Sequence, residues 1–302
     1  MVFSPPSESI LLRFLRAWMR SGIRGSNRTA RLLAGRFESL RAVPIQIADW
    51  PSVYMDLRDW GAQGWFQNSP WSHSPREPDE QAVIRRFVRA GDVVCDIGAN
   101  VGLHTALFSS IVGPSGEVYA FEPSPRVIPA LTRTIQGMDN TRLFLIALSD
   151  EDGDAELFVP EGGNNMNASL AFWTDQAGEV TRVRCVRRAL DSLMKTERLR
   201  PPSFIKCDVE GGELKVFQGA TGILNQRDAP VVLFEANVYA SKGFGVGVSA
   251  ARDFLAALPE PNYTFFTVAE AGRLVHTEQL HPVNSNVVAI PLPVLKLHPD
   301  LG

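Results

Sequence analysis

The sequence predicts an α/β fold, a doubly wound and mostly parallel sheet, and three observations predict it. Val93 to Gly102 is an apolar, β-branched run that ends in an acid, enters a glycine-flanked turn and continues as the amphipathic segment His104 to Val112, giving strand, tight loop and helix. A second apolar run, Glu117 to Phe121, follows Gly116 and closes on Glu122 and Pro123. Such runs then alternate with helical-period segments as far as Phe234, the pattern of βαβ units with right-handed crossovers.

A loop at the carboxyl end of a buried parallel strand is where these sheets bind nucleotides, because the next helix exposes unpaired backbone N–H groups there. Gly98 and Gly102 let backbone approach ligand, and helix approach sheet, with no Cβ between. The dinucleotide fingerprint G-x-G-x-x-G is not met: Asn100 stands at the second glycine position and reduces the room for a pyrophosphate. A carboxylate ending the next strand, Glu122, is placed to accept both hydroxyls of a ribose. Together these fit an adenosine without a pyrophosphate.

Taken in order, residues 1 to 48 hold eight arginines, no lysine, and only Glu8 and Glu38 as acids. Ile10, Leu11, Phe14, Leu15 and Trp18 fall on one helical face beside Arg13, Arg16 and Arg20. This suits a helix packed on the main domain or on a second copy, as in a homodimer. It also suits peripheral contact with a membrane surface, or an organelle transit peptide; the arginines interrupt any secretory signal. Residues 49 to 78, with Trp50, Trp60, Trp65 and Trp71, lack a clean period and are expected to wrap the domain as turns and short strands. The chain thus divides into an N-terminal extension, 1–75, and a main domain, 76–302.

Within that domain, Asp79 to Val88 has helical spacing, and Ser124 can cap a helix running to about Gln136. Leu143 to Leu148 is expected as the third strand. Ala155 to Val159 and Val180 to Val186 look like two more, joined by an inserted polar loop at about 160–180. That loop is a candidate substrate-selecting lid, with Asn165, Asn167, Ser169 and Trp173 as hydrogen-bonding and stacking groups. Phe204 to Val209 and Val231 to Phe234 continue the sheet, the second ending at Glu235. Gly243, Gly245 and Gly247 suggest a loop over the site; Ala250 to Leu258 is helical; Tyr263 to Val268 and Asn286 to Ile290 are the last strands.

With 302 residues and a formal net charge of −3, the chain can bury one large core and has no basic character of a nucleic-acid binder. Cys95, Cys185 and Cys207 show no metal or disulfide spacing and suit a reducing, cytoplasmic setting.

The ordered set DIGANVG at 96–102, Phe121-Glu122-Pro123, Ala147-Leu148-Ser149 and IKCDVEGGE at 205–213 resembles the FkbM-type S-adenosylmethionine-dependent methyltransferases over roughly residues 76 to 240. Gly212 departs from the pattern, where the family commonly has Ala. The resemblance implies a class I methyltransferase (Rossmann-like) fold, a seven-stranded sheet with an antiparallel edge strand. It implies S-adenosyl-L-methionine as cofactor and a hydroxyl acceptor on a sugar, a glycolipid or other saccharide, or a polyketide-like secondary metabolite. An NAD-type oxidoreductase and a cofactor-binding scaffold without turnover are the alternatives.

On this reading Asp96 orients the methionine moiety while amides of Gly98, Ala99 and Asn100 bind its carboxylate, Gly102 admits the helix, Glu122 and Pro123 hold the ribose, and Ser149 lies near the adenine. Asp208, Glu210 and Glu235 at neighbouring strand ends are the catalytic candidates, with Asp208 as base. The same three oxygen ligands suit Mg²⁺ or Ca²⁺, although helix caps and ion pairs explain such acids equally well. Lys206 requires a carboxylate partner, Asp208 or Glu235, because it lies in an apolar run. His104 is a candidate substrate contact that packing explains as readily.

Overall fold

The computed structural model describes residues 9–46, 51–68, 78–160, 168–172, 179–281 and 283–301. Trp50, Trp71, Asn165, Asn167 and Trp173 lie outside the described residues. In the N-terminal extension, α1 (Ile10–Arg20) is followed by α2 (Ser26–Arg36), the short antiparallel pair β1 (Val43–Ile45) and β2 (Val53–Met55), and α3 (Trp60–Asn68). That last helix was hidden by its tryptophans and glycines. Asp59 caps it, Oδ1 accepting from the N–H groups of Gly61 at 2.7 Å and Ala62 at 3.4 Å.

From α4 (Pro78–Phe87) the expected alternation runs β3 (Val93–Ile97), α5 (Leu103–Val112), β4 (Glu117–Phe121), α6 (Ile128–Ile135) and β5 (Thr141–Phe144). α6 starts later than Ser124: residues 125–127 form a turn in which the N–H groups of Val127 and Ile128 both donate to the Ser124 carbonyl. The expected third strand divides in two. Thr141–Phe144 stays in the main sheet, whereas β6 (Ala147–Leu148) pairs with β8 (Val180–Arg188) and, through it, with β7 (Gly153–Pro160). One unbroken apolar run could not reveal this break, which falls at the exposed Leu145.

The remaining helices and strands are α7 (Leu190–Thr196), β9 (Phe204–Cys207), α8 (Glu213–Gln218), α9 (Thr221–Leu224), β10 (Val231–Ala236), α10 (Val238–Gly243), α11 (Ala250–Ala256), β11 (Thr264–Val268), β12 (Leu274–His276), β13 (Ser285–Ile290) and α12 (Leu292–Leu295). The main sheet has eight strands in the order β12-β11-β13-β10-β9-β3-β4-β5. It is parallel from β10 to β5; β13 inserts antiparallel between β10 and β11, and β12 adds the antiparallel edge beyond the seven strands expected.

Alternation along the strands splits the core between the two faces. Val93, Cys95 and Ile97 join the apolar cluster under α7, α8 and α11, while Val94 joins the one under the N-terminal extension and α5. Asp96 and Lys206 share the Val94 side. The chain order reverses at β3, so the carboxyl ends of β3, β4 and β9 border a crevice at the topological switch point. Among the described residues no helix is long and apolar enough to cross a membrane.

Candidate active site

Two clefts open at those strand ends. The first, about 670 Å³, is walled by Gly98, Asn100, Glu122, Pro123 and the apolar Ile146, Ala147 and Leu148. The second, about 870 Å³, takes Met55, Asp56, Asp59 and Ala62 from the N-terminal extension, with Ala99, His104 and Lys206 from the main domain. Gly98, Asn100, Val127, Asp208 and Glu210 belong to both walls, so the clefts meet at the tips of β3 and β9.

The loop between β3 and α5 is built by backbone geometry. Gly98 has φ +82°, and a Cβ there would stand 1.8 Å from the carbonyl oxygen of Asp208. The tips of β3 and β9 can close on each other only over a glycine. Asn100 is also left-handed, at φ 52°, a conformation Asn tolerates better than most side chains. Its N–H thereby reaches Glu122 Oε2 at 2.9 Å, and Glu122 Oε1 accepts from the Ser124 N–H at 2.8 Å. Glu122 is thus held on the floor of the first cleft by two backbone donors. Burial outweighs both donors and pushes its pKa up to about 7.

Beneath the loop, Asp96 is fully buried. Its Oδ2 accepts from Thr105 Oγ1 at 2.5 Å, which ties the first turn of α5 to β3, while Oδ1 takes no hydrogen bond among the described residues. Burial raises its pKa, with the Lys206 ammonium opposing the shift. Lys206 sits beside it across the β3–β9 register and stands 3.0 Å from Asp208 Oδ2. Asp208 is thus one of the two expected partners of Lys206, met at hydrogen-bond distance.

The turn after β9 is braced from below. Glu213 Oε1 accepts from the N–H groups of Val209 at 3.0 Å and Gly211 at 3.3 Å, and burial pushes its pKa up to about 8. This brace leaves Glu210 left-handed at φ 53° with its half-buried carboxyl beside Asp208 and Glu235. Burial first, and then those neighbouring acids, hold its pKa well above the ordinary range. Carboxylate oxygens of Asp208, Glu210 and Glu235 lie within 4.8 Å of one another, a spacing open to a metal ion.

The crevice therefore gathers Gly98, Ala99, Asn100, Glu122, Pro123, Asp208, Glu210, His104 and Ser169 from the sequence-derived candidates. Ser169 Oγ donates to the Glu210 carbonyl at 2.8 Å, which pins the described part of the inserted loop over the β9 turn. Asp96, Gly102, Ser149 and Glu235 line neither cleft. Gly102 admits α5 against α6, where a Cβ would meet Thr134 and Leu131. Ser149 is buried behind the Ala147–Leu148 wall with its hydroxyl on Asp150 at 3.0 Å. Glu235 borders a small hollow with Gly211 and Glu213. His104 Nε2 stands 3.4 Å from Glu80, whose other oxygen accepts from Asn286 at 2.6 Å.

Sequence reasoning missed Asp56, Asp59 and Arg126 in the second cleft and Lys215 and Phe244 in the first. Only Asp59 carried a readable signal, an acid one residue before a helix.

Residues 96–265 match the Methyltransferase FkbM domain. The chain is 30% identical over 163 residues to the hexuronic acid methyltransferase AglP of Haloferax volcanii, a match covering 53% of this chain and 64% of that protein. It is 27% identical over 168 residues to the 2-O-methyltransferase NoeI of Sinorhizobium fredii, covering 50% and 68%. The match to the 31-O-demethyl-FK506 methyltransferase FkbM of Streptomyces tacrolimicus is 38% over 76 residues, covering 24% and 29%. The alignment thus spans less than two thirds of AglP. With the domain match covering more than half of its length, the chain belongs to the FkbM methyltransferase family.

Proposed function

We propose that this chain is an S-adenosyl-L-methionine-dependent methyltransferase that O-methylates a hydroxyl of a sugar, a glycolipid or other saccharide, or a polyketide-like metabolite. The observation that carries this reading is the meeting of the two clefts at Gly98, Asn100, Asp208 and Glu210, with the Glu122 carboxylate in one and the Lys206-held Asp208 in both. Relatives named for a hexuronic acid, a 2-O position and a 31-O position support an oxygen acceptor.

The residues fit the cofactor. Glu122 offers two fixed oxygens to a ribose diol, Pro123, Ile146 and Leu148 offer an apolar slot to an adenine, and Gly98 and Asn100 line the same cleft at the tip of β3. When bound, the cofactor supplies an electrophilic methyl group on a sulfonium. The protein's work is then alignment and proton removal.

Lys206 fixes one oxygen of Asp208, and the other oxygen accepts the proton of the acceptor hydroxyl. Glu210, which lies beside Asp208 where the two clefts meet, positions the acceptor by hydrogen bonding. Asp96 acts below the cleft: through Thr105 it ties α5 to β3 beneath the loop. The loop amides do not take the role expected of them, because the Gly98 and Ala99 N–H groups both donate to the Phe121 carbonyl at 3.0 Å and the Asn100 N–H donates to Glu122, which leaves none of the three for a methionine carboxylate.

Calorimetric titration with the demethylated cofactor, followed by transfer of a labelled methyl group to a panel of uronic acids, neutral sugars and macrolide alcohols, tests the proposal. Binding of the demethylated product and label on an ether oxygen are the expected results. Binding of NAD in its place would sink the proposal, and cofactor binding with no transfer to any hydroxyl would reassign the chain as a scaffold.

A further inference from the structure

The N-terminal helix presents more apolar surface than the domain covers. At about 100° per residue, Leu12, Leu15, Arg16 and Met19 of α1 occupy one arc, while Ile10, Leu11, Phe14 and Trp18 occupy the adjoining one. The first arc packs inward. Leu15, Arg16 and Met19 are buried, and Arg16 Nε donates to the Phe66 carbonyl of α3 at 2.9 Å with its guanidinium over the Phe66 ring. On the second arc Ile10 is 85% exposed, Phe14 69% and Leu11 66%. Large apolar side chains clustered this densely on one surface helix mark a contact surface.

Charge decides what the contact is. Between Ile10 and Phe37 the chain has seven arginines, no lysine and no acid. Arg13, Arg20, Arg24, Arg28, Arg31 and Arg36 are all exposed. A second copy docked through the same strip would bring two such arginine sets face to face, which like-charge repulsion opposes. An anionic lipid surface instead offers hydrocarbon to Ile10, Leu11 and Phe14 and phosphate to the flanking guanidinium groups.

We infer that the outward strip of α1, with the arginines of α1 and α2 around it, docks on anionic lipid bilayers. α1 rests on α3, and Ala62 of α3 lines the second cleft, so a docked membrane lies one helix away from that opening.

Vesicle sedimentation of the full chain tests this. Phosphatidylcholine vesicles with about 30% phosphatidylglycerol should carry the protein down, while vesicles of phosphatidylcholine alone should leave most of it in solution. Raising salt to about 0.5 M should weaken the binding. Leu11→Ser with Phe14→Ser should lower the partition coefficient at least about tenfold, and Arg24→Glu with Arg28→Glu should lower it on anionic vesicles alone. All four positions are exposed and outside both clefts, so far-UV circular dichroism and affinity for the demethylated cofactor should match wild type. Unchanged partitioning of the Leu11/Phe14 variant, or equal binding to neutral and anionic vesicles, would overturn the inference. So would light scattering that shows a dimer which the same two substitutions dissociate.

Discussion

Lys206 lies between two carboxylates. Its ammonium stands 3.0 Å from Asp208 Oδ2, and across the β3–β9 register its neighbour is the fully buried Asp96. A lysine side chain only 4% exposed is tolerable because these acids surround it, and the acids are tolerable because of it. Lys206→Met keeps the shape and removes the charge, leaving Asp96 and Asp208 without their cation. Urea unfolding should show a loss on the order of 3 kcal/mol. Asp208→Asn, which leaves the buried Lys206 with Asp96 as its remaining acid, should lower stability by less than Lys206→Met and lower turnover by about 10² or more, with affinity for the demethylated cofactor almost unchanged. Equal losses of affinity and turnover in the Asp208 variant would remove it from the base role.

Gly98 and Gly102 both have φ above +80°, yet a methyl group at each meets different obstacles. At Gly98 the obstacle is the Asp208 carbonyl, 1.8 Å away, which belongs to the neighbouring strand tip and cannot step aside. At Gly102 it is the ends of the Thr134 and Leu131 side chains, at 2.8 and 2.9 Å. Gly98→Ala should therefore abolish measurable cofactor binding, because both clefts share that tip. Gly102→Ala should weaken binding only about tenfold, the strain falling on the α5–α6 contact. Calorimetry on the two purified variants makes the comparison.

The pH dependence has a definite sign. Burial raises the Glu122 pKa to about 7, so the folded protein holds this proton at pH values where the unfolded chain, with an ordinary value of about 4.3, has lost it. The Glu122 contribution to stability is complete below the unfolded value and is lost as pH rises through about 7. Thermal melts of the wild type minus those of Glu122→Gln should show this slope between about pH 4.5 and 7. Glu213, raised to about 8, adds a slope of the same sign that the subtraction removes. Ribose hydroxyls donate best to the ionised carboxylate, so product affinity should rise with pH through the same window. Proton release on binding, measured in two buffers of different ionisation enthalpy, reads it directly.

The parallel half of the sheet was legible because buried strands carry unmistakable β-branched runs. The glycine loop was legible because few residues other than glycine suit its conformations. Glu122, Asp208 and Glu210 could be found because strand-end acids in an α/β pattern have one place to go. What could not be read depended on tertiary choices. Ala147 and Leu148 pair with β8 instead of continuing β5, and nothing in an apolar run says which partner it will take. Asp56 enters the second cleft because the N-terminal extension folds over that face, and Arg126 reaches it from the turn between β4 and α6. Asp96 looked like a cleft residue, but it is fully buried under the loop, with its carboxyl tied to Thr105 in the first turn of α5.

Carboxylate oxygens of Asp208, Glu210 and Glu235 lie within 4.8 Å of one another, which raises the question of a divalent cation. Each acid already has a competing commitment. Asp208 is paired with Lys206, Glu235 Oε2 is 3.4 Å from the Asn237 amide, and burial and the neighbouring acids hold the Glu210 pKa well above the ordinary range. A cation would have to displace the Lys206 ammonium from Asp208 before gaining its ligands, which costs more than filling a preformed oxygen cage. Turnover should therefore survive dialysis against EDTA, and added Mg²⁺ or Ca²⁺ should leave both turnover and melting temperature within error. A rise in melting temperature with either ion, lost in Glu235→Gln, would assign the three acids to a metal and transfer proton removal from Asp208 to a metal-bound acceptor.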